Sequence, residues 1–284
     1  MIEDHTGWTG YHVKPAGQPD LTTAPAARIV VALDGTAHAE RSLEVADALA
    51  AAAGLPLHLV RVCGDRADFA ETDAYVARVA RRTPRVSGMA VEIGVDPAGH
   101  LSGLVESGAL LVLATHARGP IGEVLFGSVA DAVLHQVRRP VLLVGPAAGV
   151  PDPAFTTMVV PDDAGVGAWR LRERAAAWAL HLGAAPCVVQ VVPSELLGRS
   201  TDVLETADLR RAAEELGPNA TWEVLDGGGP AERIVEFARD QNAGLIAMTV
   251  TPRHRLGPDI AGGVALHVIR RSPCPVLALG RTER

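Results

Sequence analysis

Arg28-Ile-Val-Val-Ala-Leu-Asp34-Gly-Thr36 is the stretch that decides the fold. Five consecutive apolar residues lead into an acidic residue and a glycine, a pattern typical of a buried strand that ends in a turn. A second apolar run, Met158-Val-Val-Pro, reaches Asp162 at a distance of 128 residues from the first aspartate. A repeat of this length is a whole domain, because solenoid units repeat every 20 to 50 residues. The sequence therefore indicates a tandem duplication.

The later landmarks support the duplication at a slightly larger spacing. Gly127 and Gly262 lie 135 residues apart, and so do Pro140 and Pro275, each of which precedes a short apolar run. The 284 residues suit two domains of ordinary size. We expect an N-terminal arm over 1–27, a first domain over 28–146, a linker over 147–155 and a second domain over 156–284.

Composition excludes several classes of protein. Hydrophobic residues make up 48% of the chain and the net charge is −7, which is typical of a globular protein and not of a basic nucleic-acid binder. Three cysteines without a CxxC pair indicate neither a disulfide framework nor a zinc site. No apolar run is long enough for a membrane span, and the first residues lack the features of a signal peptide. We expect a cytoplasmic protein without nucleic-acid or membrane partners.

Strand-like and helix-like segments alternate in both copies. In the first copy they are strands at 29–33, 57–62, 89–93, 110–113 and 141–144, with helices at 39–53, 75–83, from 97 and at 128–137. In the second copy they are strands at 158–160, 187–192, 221–225, 245–248 and 276–279, with helices at 171–182, 206–216, 231–241 and 263–269. Apolar strands separated by helices predict a parallel sheet covered on both faces. The predicted fold class is α/β, with two tandem Rossmann-like domains that each hold a five-stranded parallel sheet between helices.

Ligands of such sheets bind beyond the carboxyl ends of the strands, where the strand order reverses. Asp34, Val62 and Ala114 end strands there, and Gly127-Ser128 stands directly before a helix. Glycine and a helix N-terminus suit a phosphate, with Ser128 as hydroxyl donor and cap. An ordinary glycine-rich loop with a serine cap explains the same residues. Asp34 is expected to hold the crevice or a ribose hydroxyl, and capping of the next helix is the alternative.

These residues resemble the universal stress protein family in its tandem form. The resemblance rests on Val31-Ala-Leu-Asp34-Gly35, Gly94-Val-Asp-Pro-Ala98, Thr115-His-Ala-Arg-Gly119, Gly127-Ser-Val-Ala130 and Arg139-Pro-Val-Leu142. It implies ATP in the first domain, with or without Mg²⁺, and no resident metal site. The implied nucleotide-binding residues are Leu33, Asp34, Gly35, Thr36, Val62, Ala114, His116, Ala117, Arg118, Gly119, Gly127, Ser128 and Val129.

The chain departs from the family's nucleotide motif, G-x2-G-x9-G-(S/T). Its first two glycines fall on Ala114 and Ala117, where a Cβ hinders close approach of a phosphate. In the second copy the same positions hold Thr249 and Pro252, although Asp162 is kept as the counterpart of the first-strand aspartate. Proline lacks the backbone donor that a phosphate needs. We therefore expect no cofactor in the second domain.

Three functions remain open at this point. The first is a stress-response regulator that binds adenine nucleotide in its first domain. The second is a stress protein that has lost the nucleotide and acts by oligomerisation or through an unidentified protein partner. The third is a slow ATPase, which we rank last because the sequence offers no evident general base and no catalytic residue.

The resemblance also predicts how the two domains meet. The family pairs through its last strand, so 141–144 and 276–279 are expected to pair about a pseudo-two-fold axis. Association of whole chains, for example into a homodimer, stays open.

Overall fold

The computed structural model describes residues 25–115, 127–163, 165, 168–192, 202–250 and 263–279. Of residues 202–206 only the backbone is described. The predicted positions His116, Ala117, Arg118, Gly119 and Pro252 lie outside the described residues, and so does the predicted N-terminal arm up to residue 24.

The first copy folds into alternating strands and helices, in the predicted order. Its elements are β1 Arg28–Ala32, α1 Ala37–Ala53, β2 Leu57–Cys63, α2 Phe69–Arg81, β3 Val86–Ile93, α3 Pro97–Glu106, β4 Ala109–Ala114, α4 Ser128–Gln136 and β5 Val141–Val144.

The second copy repeats this order. Its elements are β6 Thr157–Pro161, α5 Ala168–Leu182, β7 Ala185–Val192, α6 Asp202–Leu216, β8 Thr221–Asp226, α7 Pro230–Asp240, β9 Leu245–Thr249, α8 Val264–Arg271 and β10 Val276–Leu279.

All these strands join one sheet, in the order β3-β2-β1-β4-β5-β10-β9-β6-β7-β8. Neighbours within each copy are parallel, whereas β5 and β10 pair antiparallel with Leu142 opposite Leu277. This confirms the predicted fold class and the predicted pairing of the two last strands. In each copy the strand order reverses after the first strand, between β1 and β4 and between β6 and β9.

Helices cover both faces of the sheet. The buried residues of α1, α2, α5 and α6 form one apolar core with one face, and those of α3, α4, α7 and α8 form a second core with the other face. Local chain chemistry sets the helix limits. Thr36 caps α1 by accepting a hydrogen bond from the Ala39 amide, and Gly54 ends that helix in the left-handed conformation at φ 65°.

Two sequence predictions need correction. β3 is not covered on both faces: Met89 and Ile93 remain 45% and 42% exposed, because the strand lies at an edge of the sheet. Helix α2 begins at Phe69 and not at 75; its first three residues are exposed and show no apolar period that would mark them as helical. Among the described residues, no helix is both long and apolar enough to cross a bilayer.

Candidate functional site

The carboxyl ends of β1, β2 and β4 and the N-terminus of α4 enclose a cavity of about 350 Å³. It lies at the reversal of strand order, where a parallel sheet opens a crevice. Its lining contains seven of the predicted site residues, namely Leu33, Asp34, Val62, Ala114, Gly127, Ser128 and Val129. Leu101, Leu113 and Val60 add apolar wall. The structure thus brings most of the described site residues together.

Asp34 is held in a tight turn at the mouth of this cavity. Its Oδ1 accepts hydrogen bonds from the backbone amide of Thr36 at 2.8 Å and from the Thr36 hydroxyl at 2.7 Å. Thr36 in turn caps α1. The N-cap of α1 is therefore Thr36 and not Asp34; one carboxylate oxygen of Asp34 holds Thr36, while Asp34 itself is exposed and lines the cavity.

The N-terminus of α4 differs from the prediction. Gly127 is the N-cap residue, Ser128 is the first helical residue, and no side chain among the described residues caps the helix. Ser128 is therefore not the cap. The first amides of a helix have no partner within the helix and carry partial positive charge. Gly127 through Ala130 line the cavity, so the N-terminus of α4 forms part of its wall.

The wall formed by β4 is fixed through its last residues. Ala114, the first departure from the nucleotide motif, is half-buried and lines the cavity. The next residue, Thr115, is buried and receives a hydrogen bond from the ring of His38 on α1, with Nε2 3.0 Å from the carbonyl oxygen. This contact ties the end of β4 to the first turn of α1.

A second, larger cavity of about 880 Å³ adjoins the first and holds the remaining two described site residues, Gly35 and Thr36. Asp34, Arg61 and Val62 line both cavities. The guanidinium of Arg61 stacks over the ring of Tyr75, 4.8 Å from its centroid. A Cβ on Gly35 would lie 2.9 Å from Arg61 Nη1, so Gly35, at φ 89°, leaves room for this side chain.

Arg61 and Tyr75 are site residues that the sequence analysis missed. The available signal was a charged residue within the apolar strand Leu57–Cys63, one position before Val62. Burial and the neighbouring Glu40 carboxylate raise the pKa of Tyr75 to about 12. The phenol therefore stays protonated at neutral pH.

The second copy can be aligned with these positions through its backbone hydrogen bonds. Asp162 donates its amide to Val189, just as Leu33 donates its amide to Val60. Gly165 donates its amide to Asp163 Oδ1 at 2.9 Å, in the manner of Thr36 and Asp34. The counterpart of Asp34 is thus Asp163 and not Asp162, which corrects the sequence alignment by one residue.

Asp162 instead forms a buried ion pair. Arg172 Nη1 donates to Asp162 Oδ2 at 2.5 Å, and Arg172 Nε donates to Glu215 at 2.7 Å. Arg172 is 1% exposed and Asp162 5% exposed. Burial alone would lower the pKa of Arg172, but the two carboxylates raise it above its ordinary value. At the matching positions the first copy holds Leu33 and Leu43, both buried in an apolar core.

Comparison with known proteins identifies the family. The model of the universal stress protein family matches residues 26–145 and again residues 154–280. The chain belongs to the universal stress protein family. Universal stress protein MJ0531 of Methanocaldococcus jannaschii is 38% identical over 76 residues, which is 27% of this chain. The chain spans 44% of the length of that curated relative.

Two solved universal stress proteins are similar in structure. One from Archaeoglobus fulgidus matches 90% of this chain and 99% of its own at 21% identity, with a TM-score of 0.70, and so shares the two-domain fold. Another from Archaeoglobus fulgidus was solved in complex with dAMP; it is 25% identical over 43% of this chain and 98% of its own, with a TM-score of 0.35. The bound dAMP is an observation on that protein.

Proposed function

We propose that this universal stress protein binds one adenine nucleotide, ATP with or without Mg²⁺, in the cavity of its first domain. The observation that carries the proposal is the combination of an apolar cavity with a helix N-terminus that no described side chain caps. The cavity volume of about 350 Å³ falls within the range of small-molecule sites. The adenine class comes from the family resemblance of the first domain.

The described residues suit the three parts of such a ligand. Leu33, Val62 and Leu113 offer apolar wall to the base. The exposed carboxylate of Asp34 is an acceptor for a ribose hydroxyl. The first amides of α4, which begins after Gly127, are donors for phosphate oxygens. A Cβ on Gly127 would meet no atom of the described residues within 4 Å, so with respect to them the glycine leaves this space open.

We propose that the second domain does not bind a nucleotide. Asp162 and Arg172 pair where the first domain holds Leu33 and Leu43, and Glu215 is a second partner of Arg172. Thr249 stands where the first domain has Ala114 and is exposed at the end of β9. We therefore expect one nucleotide per chain.

Binding without turnover is the form of activity proposed here. Among the described residues that line the cavity, Asp34 is the only carboxylate and none is a histidine. Asp34 Oδ1 already accepts two hydrogen bonds from Thr36. A general base for water attack is thus not provided by these residues. Binding of the nucleotide would instead order the residues around this crevice and so change the surface that the protein offers to a partner.

The test is calorimetric titration of the full chain with ATP and Mg²⁺. We expect one site of roughly micromolar affinity, weakened about ten-fold or more in Gly127→Val, a loss of about 1.4 kcal/mol. The angles at Gly127, φ −50° and ψ 140°, are open to any residue, so valine fills the space without straining the backbone. Gly127→Ala, which fills less of it, should weaken binding less.

A matched pair of variants locates the site within the duplication. Asp34→Asn keeps the Oδ1 acceptor for Thr36 but removes the charge, and it should weaken binding. Asp163→Asn, the same change in the second copy, should leave it unchanged. If titration releases no heat and no nucleotide co-purifies, the proposal is rejected, and the alternative of a stress protein that acts through oligomerisation or a protein partner is favoured. Steady release of phosphate from ATP would instead favour the alternative of a slow ATPase.

A further inference from the structure

The junction between the two domains determines which sheet edges remain. Antiparallel pairing of β5 with β10 uses the inner edges of both copies. Of the strands in the described sheet, β3 and β8 are left with one neighbour each. Unpaired edges present rows of backbone donors and acceptors to any strand that can approach.

The edge at β3 lacks the usual protection against such pairing. Its eight residues, Val86–Ile93, contain no proline, no lysine and one charged residue, Glu92. A register irregularity next to β2 is confined to the start of the strand, at Val86 to Gly88. From there to Ile93 the strand is regular, and Met89 and Ile93 are 45% and 42% exposed. Protected edges are instead short, charged, bulged or interrupted by proline.

The opposite edge shows what protection looks like in the same chain. β8 is six residues long and carries two carboxylates, Glu223 and Asp226. Strand pairing with β7 places Asp226 where the first copy has Ile93, since Gly227 and Gly94 make the same amide bond to the preceding strand. A charge thus replaces an exposed isoleucine. The two edges are not equivalent.

The backbone of β3 shows which groups point outward. Gly94 donates its amide to the Cys63 carbonyl of β2. Amide and carbonyl groups alternate between the two sides of a strand, so Met89, Val91 and Ile93 direct theirs away from β2. These residues also share one face of the sheet, because successive side chains alternate between faces. Backbone groups that no described strand pairs therefore occur on an apolar row in which Met89 and Ile93 are exposed and Val91 is half-buried.

We infer that β3 pairs antiparallel with β3 of a second copy of this chain, about a two-fold axis at Val91. In this register Val91 lies opposite Val91 of the partner subunit, and Met89 lies opposite Ile93 of the partner subunit. All three residues with outward backbone groups therefore form hydrogen-bonded pairs. Glu92 faces Ala90 of the partner subunit, which keeps the two carboxylates from lying directly opposite each other. The ten-stranded sheets of two chains then become continuous.

We expect the strand that pairs with β3 to come from a second copy of this chain, because the β3 edge is complementary to itself. Pairing buries the apolar residues against each other and places no like charges in opposition. An interface confined to one strand edge belongs to the small class, below about 1,200 Å², so the dimer should dissociate on dilution. This interface is independent of the nucleotide cavity, which lies on the other side of β2.

The duplication supplies a matched test. Val91→Pro removes an outward amide of β3 without breaking a bond to β2, and Val224→Pro is the same change at the corresponding position of β8. Sedimentation velocity over a wide concentration range should show a monomer–dimer equilibrium for the unaltered chain and for Val224→Pro, and monomer alone for Val91→Pro. Circular dichroism of each variant shows that the fold is kept.

A second variant avoids proline altogether. Met89→Lys places a charge opposite Ile93 of the partner subunit and should likewise give monomer at every concentration tested. Three results would overturn the inference: a monomeric unaltered chain, a dimer abolished by Val224→Pro and kept by Val91→Pro, or a dimer insensitive to both. A chain that dimerises only after removal of residues 1–24 would also overturn it, because that segment would then be the occupant of the edge.

Discussion

The buried ion pair of the second domain gives the sharpest prediction about stability. Arg172 is 1% exposed and bonds to Asp162 and Glu215. Arg172→Leu would leave the Asp162 carboxylate buried without its cation. Removing one partner of a buried pair typically costs about 3–5 kcal/mol, because an uncompensated charge remains in a low-dielectric interior. We expect a loss of this size for Arg172→Leu and a smaller loss for Asp162→Leu, because Arg172 keeps its bond to Glu215.

The double variant should behave differently from either single one. Leu33 and Leu43 occupy the two matching positions of the first copy and are 4% and 5% exposed. An apolar pair of this kind is thus already compatible with the fold. Replacing a buried ion pair by apolar residues is often neutral or stabilising, by about 1–4 kcal/mol. We expect Asp162→Leu/Arg172→Leu to be at least as stable as the unaltered chain, with a coupling energy of at least about 3 kcal/mol.

Urea denaturation followed by tryptophan fluorescence is the appropriate assay. The described tryptophans, Trp169, Trp178 and Trp222, all belong to the second copy, and Trp178 is 1% exposed on the same helix as Arg172. Three of the four tryptophans of the chain therefore report the domain that carries the pair, and Trp8→Phe in every variant removes the contribution of the fourth. If Arg172→Leu fails to fold, recovery of folded protein in the double variant measures the same coupling.

A surface pair serves as the control. Arg210 and Glu214 on α6 are 3.4 Å apart and 73% and 66% exposed. Arg210→Leu should change the free energy of unfolding by less than about 1 kcal/mol, because exposed pairs are weak. The reasoning would be refuted if the double variant lost as much stability as the two single variants together, since the charges would then not compensate each other.

Two further predictions concern the first domain and the junction. Burial and Glu40 raise the pKa of Tyr75 to about 12. The stabilisation that this shift contributes should be fully retained below pH 10 and be lost as the pH rises towards 12. Ultraviolet titration of Glu40→Gln should show a lower pKa for Tyr75. A Cβ on Gly145 would overlap the carbonyl oxygen of Ile269, so Gly145→Ala should cost about 1–3 kcal/mol in thermal or urea unfolding, whereas Gly127→Ala should be neutral.

Most of the fold could be predicted from the sequence because each strand is a short, nearly continuous apolar run. Pairing of β5 with β10 followed from the family resemblance, since four-residue strands such as Val141–Val144 carry no information about their neighbours. The exposure of β3 was not predictable from its composition. Its residues look like those of a covered strand, and only the strand order shows that it forms an edge.

The sequence predicted a crevice at the place where the structure has a cavity, but not the whole lining of that cavity. Asp34, Val62 and Gly127 were found because strand ends and a glycine before a helix mark a crevice. Arg61 was missed because a strand pattern does not show which neighbours a side chain meets, here the ring of Tyr75. The error at Asp162 has a similar origin: two adjacent aspartates fit equally well in a sequence alignment, and only the amide bond to Val189 decides between them.

That one-residue correction changes the interpretation of the second domain. Loss of the motif glycines alone would suggest that a site could be restored by mutating the loop back. However, the residue matching Leu33, a wall of the first cavity, is Asp162, which is bound to Arg172. An aspartate there depends on its arginine, since without Arg172 the Asp162 carboxylate loses the cation against which it is buried. Restoring the proposed second site would therefore require Asp162→Leu and Arg172→Leu together as well as changes to the loop, which makes the asymmetry of the two copies a property of the core.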